Sequence, residues 1–120
     1  MVHRLLRRHK VVVWWATAIE IRSALERLFR LKELNAAEHA GAEKRLERLR
    51  KVWTEIQPEM ALRSDAEKLL ARFPLRAADA LQLAAAMTWA MDRPQGRVFL
   101  SGDLQLLEAA RQLGFEAVEA

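Results

Sequence analysis

Arg97-Val-Phe-Leu-Ser101-Gly-Asp103-Leu-Gln-Leu-Leu-Glu-Ala-Ala-Arg-Gln-Leu113-Gly114-Phe115-Glu-Ala-Val118 is the stretch that decides the fold. Arg97 to Ser101 is a short apolar run of strand length. Asp103 is a helix-capping residue type, and the apolar residues of 104–113 recur at helical spacing. Gly114 ends that helix, and Phe115 to Val118 predicts a last strand. Upstream, Arg93-Pro94-Gln95-Gly96 reads as a turn. Arg76 to about Met91, rich in Ala and Leu with few charges, predicts a helix packed on several sides. Ser64-Asp65-Ala66-Glu67 has capping-box form and opens a helix ending near Phe73, before Pro74. Glu55 to Pro58 predicts a short edge strand, where proline is tolerated. Asn35-Ala36-Ala37-Glu38 opens a helix of about five turns with an apolar stripe of Leu46, Leu49, Val52 and Trp53. Thr17-Ala18-Ile19-Glu20 is another capping box, opening a helix through Leu25, Leu28 and Phe29. Val11 to Trp15 predicts a buried strand, and Val2, Leu5, Leu6 and His9 the end of an amphipathic helix. Strand and helix alternate throughout, so the expected class is α/β, a parallel sheet sandwiched by helices.

The chain has 120 residues and a mass of 13.8 kDa, which predicts a single domain spanning 1–120. Hydrophobic residues make up 52% and charged residues 30%, a globular rather than disordered composition. The absence of cysteine excludes disulfides, thiolate zinc sites and a cysteine nucleophile. Net charge is +4, with the basic excess in residues 1–60, where 13 basic side chains face 8 acidic ones. Such a balance is compatible with a polyanion partner but discriminates poorly. Arg4, Arg7, Arg8 and Lys10 precede an apolar run, and Ala16-Thr17-Ala18 has the form of a signal cleavage site. The run between them is too short and too β-branched for a signal core. No segment approaches the roughly 20 apolar residues of a membrane span, so the chain reads as soluble and cytoplasmic, with no membrane partner.

Three acids stand at comparable places. Glu20 and Asp79 fall in first turns of helices, and Asp103 directly follows an apolar strand. In a parallel sheet the carboxyl ends of the strands gather on one edge, where ligands bind; Glu20 and Asp103 face that edge. Each acid alone also serves as a cap or as a partner of the helix dipole. Clustered carboxylates repel by about 4 kcal/mol at 4 Å and an effective dielectric of 20. A shared site therefore implies raised pKa values or a bound divalent cation. Mg²⁺ and Mn²⁺ suit an all-oxygen site, and such ions support phosphodiester hydrolysis.

Around these acids the sequence resembles the PIN-domain ribonucleases, particularly the VapC-type toxins of toxin and antitoxin pairs. Three motifs carry the resemblance: Thr17-Ala-Ile-Glu-Ile-Arg-Ser-Ala-Leu25, Leu75-Arg-Ala-Ala-Asp-Ala-Leu-Gln-Leu-Ala84, and Val98-Phe-Leu-Ser-Gly-Asp-Leu through Gly114. The match covers nearly the whole chain from Val11, and the second motif is the most specific. The resemblance implies a helix-rich, three-layer α/β/α fold and metal-dependent endoribonuclease activity. It implies that Glu20, Asp79 and Asp103 are catalytic ligands of Mg²⁺ or Mn²⁺, with Ser101 supporting the site. The implied partners are an RNA substrate, an antitoxin protein and a second copy in a homodimer. The family's first acid, on a strand at the centre of its sheet, has no counterpart here, so that strand is expected to be missing. Its loss leaves the Val11 and Arg97 strands separated by a gap, or forces them to pair directly. The alternative function is a non-catalytic module that dimerises or binds an antitoxin.

Less specific features remain. Arg76, one turn before Asp79, either binds an RNA phosphate or pairs with a neighbouring acid. Trp14 and Trp15 point to opposite strand faces, with core packing the favoured role over base stacking. Lys44, Arg45, Arg48 and Lys51 form a basic helical stripe, more in keeping with a solvated face than with a phosphate track. His3, His9 and His39 show no metal-ligand spacing, and the four glycines form no phosphate loop.

Overall fold

In the computed structural model, which describes Arg4 and residues 7–120, short strands alternate with longer helices. They are β1 (Val12–Trp14), α1 (Thr17–Arg30), α2 (Ala36–Arg50), β2 (Thr54–Ile56), α3 (Met60–Arg72), α4 (Ala77–Trp89), β3 (Val98–Ser101), α5 (Leu104–Leu113) and β4 (Glu116–Glu119). The described residues thus form the expected mixed α/β class with parallel strands. Val2, Leu5 and Leu6, which carry the helix expected at the start of the chain, lie outside the described residues.

Of the two outcomes expected for the Val11 and Arg97 strands, the described residues show a gap between them. β1 pairs in parallel with β2, Val12 opposite Thr54 and Trp14 opposite Ile56. β3 pairs in parallel with β4, Val98 opposite Glu116 and Ser101 opposite Glu119. No ladder joins the two pairs, so among the described residues one sheet is replaced by two of two strands each. β1 and β3 therefore stay apart instead of pairing directly.

What holds the molecule together is helical. The core gathers Leu62, Ala66 and Leu69 of α3, Ala80, Leu83, Ala84 and Ala85 of α4, and Leu106, Ala109 and Ala110 of α5. Alanine at five of these α4 and α5 positions lets backbones approach closely, while Leu83 and Leu106, both fully buried, fill the space between. Trp14, Phe73, Ala90 and Phe115 complete the cluster. Gly114 closes α5 at φ 112°, a left-handed conformation, and a Cβ there would stand 3.2 Å from Pro94 Cγ.

Several local expectations shift. The Asn35 capping box forms: Asn35 Oδ1 accepts from Glu38 N–H at 2.8 Å, and Glu38 Oε1 accepts from Asn35 N–H at 3.0 Å. The Thr17 box does not, because Ala16 occupies the N-cap and Thr17 Oγ1 instead accepts from Trp14 N–H at 3.1 Å. Ser64 lies inside α3, which already begins at Met60, just past Pro58. α2 has 15 residues, about four turns. Its stripe does not extend to Val52, which is exposed beyond the helix end. α1 contributes no fully buried residue. It is tied to α2 by Arg22, which pairs with Glu43 and, at 3.7 Å, with Glu47. Trp14 is buried and Trp15 exposed, as the alternation of strand side chains requires.

Candidate active site

The carboxyl ends of β1 and β3 lead into the first turns of α1 and α5, and the amino end of α4 arrives beside them. Glu20 reaches α4, where its Oε2 accepts from Gln82 Nε2 at 3.0 Å. Asp79 lies three residues before Gln82 on the same helix and so on the same face. Asp103 is the N-cap of α5; its Oδ1 accepts from Leu106 N–H at 3.1 Å. Ser101 Oγ accepts from the Asp103 N–H at 3.0 Å, which fixes the turn that presents Asp103. Arg76, the N-cap of α4, bridges two of the acids. Its Nε lies 3.8 Å from Asp79 Oδ2 and a terminal nitrogen 3.7 Å from Asp103 Oδ2.

The five residues singled out in the sequence therefore neighbour one another, although they come from three places along the chain: Glu20 meets α4 through Gln82, and Arg76 links Asp79 to Asp103 across a shared cleft mouth. The three acids are not among the described groups whose donor atoms all lie within 4.8 Å of one another. The Asp79 side chain is 19% exposed and that of Asp103 32%, whereas the Arg76 side chain is 86% exposed. Glu20 shows the electrostatic signature of crowding. Burial, and after it the negative charge of Asp79, push its carboxyl above the ordinary value of 4.5, while the Gln82 hydrogen bond acts in the opposite direction. Arg76 takes the ion-pairing role allowed for it, and its exposure leaves it free to swing away.

Two features lay beyond the sequence reading. Gln82 was findable, since it follows Asp79 at helical spacing inside the most specific motif. The second is a cluster of Glu26, His39 and Glu43 between α1 and α2. His39 Nε2 lies 2.7 Å from Glu26 Oε1, its Nδ1 3.1 Å from Glu43 Oε1, and its ring stacks on Phe29 with centroids 4.5 Å apart. Donor atoms of the three lie within 4.8 Å of one another, close enough to hold a metal ion. The two carboxylates flank opposite ring nitrogens, so in this structure the three side chains already form an ion-pair network of their own. His39 and Glu43 stand at i,i+4, but the contribution of Glu26 from another helix leaves no trace in sequence spacing.

No helix among the described residues is long and apolar enough to cross a membrane. No protein-family model, curated protein or solved structure matches this chain.

Proposed function

We propose that this chain is a metal-dependent endoribonuclease of the PIN-domain, VapC-like toxin type, which hydrolyses RNA phosphodiester bonds with Mg²⁺ or Mn²⁺. The observation that supports the reading is that Glu20, Asp79 and Asp103 neighbour one another from α1, α4 and α5, Arg76 linking the two aspartates and Glu20 being raised by burial and by Asp79. The donor chemistry suits the ion: it is all carboxylate, as hard divalent cations require. A bound ion supplies neutralisation of a phosphoryl oxygen and activation of a water. The chain's own residues do the rest. Asp79 and Asp103 present oxygens to the cleft, and Glu20 is oriented by Gln82. Ser101 holds the Asp103 backbone. Arg76 exchanges its two acids for an RNA phosphate once they engage the ion. The exposed basic face of α2, with Lys44, Arg45, Arg48 and Lys51, is a candidate track for the RNA backbone. A cytoplasmic toxin of this type, in a three-layer fold, has an antitoxin protein and a second copy as its partners.

Incubation of labelled RNA with the chain tests this directly. Cleavage that requires Mg²⁺ or Mn²⁺, stops with a chelator and is lost in Asp79→Asn is expected; metal-independent or absent cleavage would overturn the reading. A second reading, a non-catalytic module that dimerises or binds an antitoxin, is favoured by the division of the strands into two sheets with open edges. Calorimetric titration with Mn²⁺ separates the two, because only the first needs the ion.

A further inference from the structure

β1 and β3 each have one paired edge and one open edge. Val11 C=O accepts from Thr54 N–H and Trp15 N–H donates to Ile56 C=O, so the odd residues of β1 turn their backbone groups towards β2. The intervening Val12 and Trp14 turn theirs the other way. Likewise Arg97 and Ser101 C=O accept from Glu116 and Ala120 N–H, which leaves Val98 and Leu100 on the open side of β3.

These two open sides face one space. Val12, Trp14, Val98 and Leu100 line a single cavity of about 200 Å³. Its floor is α4, through Gln82, Ala85, Ala86 and Trp89. A further cavity of about 310 Å³ continues past Val12 and Val98 to Lys10 and Arg97. Both strands run towards the carboxylate cleft, since Trp14 leads into α1 with Glu20 and Ser101 leads to Asp103, so the two edges are co-directional. Trp14 belongs to this wall, and its indole Nε1–H is buried without an acceptor among the described residues. Among the described residues one edge donor is met, Trp14 N–H by Thr17 Oγ1.

Backbone N–H and C=O groups must be paired or hydrated, while the walls between them here are valine, leucine, alanine and tryptophan. Water satisfies the first requirement but not the second. An extended polypeptide satisfies both, by pairing on its two edges and burying alternate side chains on α4. We propose that the slot between β1 and β3 binds one extended apolar segment of a partner polypeptide, which pairs with both edges and joins the two sheets into one. The segment spans about four residues, the length of β3. Charge sets its flank: at the end away from Glu20, Asp79 and Asp103 it meets Lys10 and Arg97, and so carries an acidic side chain there. This proposal does not depend on the carboxylate chemistry.

The probe is a fluorescein-labelled hexapeptide of valine and isoleucine with a glutamate at one end, titrated into the whole chain by anisotropy. Saturable binding is expected, with amide exchange at Val12, Val98 and Leu100 slowed by about tenfold or more. Val98→Pro removes a donor on the open side without touching the β4 ladder, and should weaken binding by about tenfold. Ala117→Pro does the same on the outer edge of β4 and should change binding by less than about twofold. Exchange in the unmodified chain gives the answer should Val98→Pro fail to fold. The proposal is overturned by absent binding, by loss of binding in Ala117→Pro, or by protection at the outer edges instead. It also falls if the chain alone sediments as a dimer with Val12 and Val98 already protected, because a second copy then fills the slot.

Discussion

Arg76→Ala should tighten the binding of Mn²⁺, whereas Asp79→Asn should weaken it, and the opposite signs make this pair of variants informative. In the ion-free cleft the Arg76 guanidinium lies 3.8 Å from Asp79 and 3.7 Å from Asp103. Each contact amounts to about 1 kcal/mol by Coulomb's law in water. The side chain is 86% exposed, so screening and side-chain entropy bring each towards the range of about 0.2–1 kcal/mol measured for exposed pairs. An incoming divalent cation must displace both contacts, so their removal should improve its affinity by about 2-fold to 30-fold. Asp79→Asn removes a full negative charge from the ligand set. Against a doubly charged ion that is a loss of about 2 kcal/mol or more at 4 Å in water, roughly 30-fold. Calorimetric titration with MnCl₂ at fixed ionic strength reads both, with circular dichroism confirming the fold. Unchanged or weaker binding in Arg76→Ala, or full affinity in Asp79→Asn, would refute the idea that these acids form one cation site with the arginine as its competitor.

Three further outcomes are expected. Because burial and Asp79 raise the Glu20 carboxyl above 4.5, the folded chain holds that proton more tightly than the unfolded one; metal-free stability therefore falls as pH rises from about 4.5 through the raised value and stays lower above it. Glu20→Gln should accordingly raise Tm at pH 7 with no gain below pH of about 4, and a lower Tm at pH 7 would count against the crowding. Asp103→Asn should keep the α5 cap while losing Mn²⁺ affinity, whereas Asp103→Ala should lose both and about 0.5–2 kcal/mol of stability by urea denaturation. Leu106→Ala, at a fully buried position in the helical core, should cost about 2–5 kcal/mol in the same assay; a loss under about 1 kcal/mol would mean that α5 is not part of the cooperative core.

How far the sequence reaches depends on whether the deciding force is local. β3, α5 and β4 fall within a residue of their expected places, because an apolar run, a capping Asp and a Gly at φ 112° act within one or two turns of chain. The Asn35 cap is legible for the same reason. The Thr17 box fails because a non-local circumstance intervenes. Among the described residues no strand lies beside the open edge of β1, where the Trp14 N–H donates to the Thr17 hydroxyl, and Ala16 stands at the N-cap. Val52 continues the α2 stripe by spacing alone, yet the helix ends at Arg50 and the residue turns to solvent. Which strands pair is not written in either apolar run, since Val11 to Trp15 and Arg97 to Ser101 look equally fit to be neighbours.

The candidate site shows why capping and ligation are poor rivals as explanations of an acid at a helix start. A carboxylate has two oxygens and about four acceptor positions. Asp103 uses Oδ1 on the Leu106 N–H and turns Oδ2 to Arg76 and the cleft, so its cap also fixes the direction in which it presents its charge. Glu20, whose spacing made it look the better cap, makes no such bond. It gives its oxygen to Gln82 on another helix and accepts crowding by Asp79. A carboxylate in the first turn is also stabilised by the helix dipole, and with Ala16 at the N-cap Glu20 stands past the N3 position from which a capping box forms. The chain instead holds Glu20 half-buried against a second acid. Such an arrangement is unfavourable for the folded state alone and becomes favourable only when positive charge enters the cleft, whether from the Arg76 side chain or from a divalent cation.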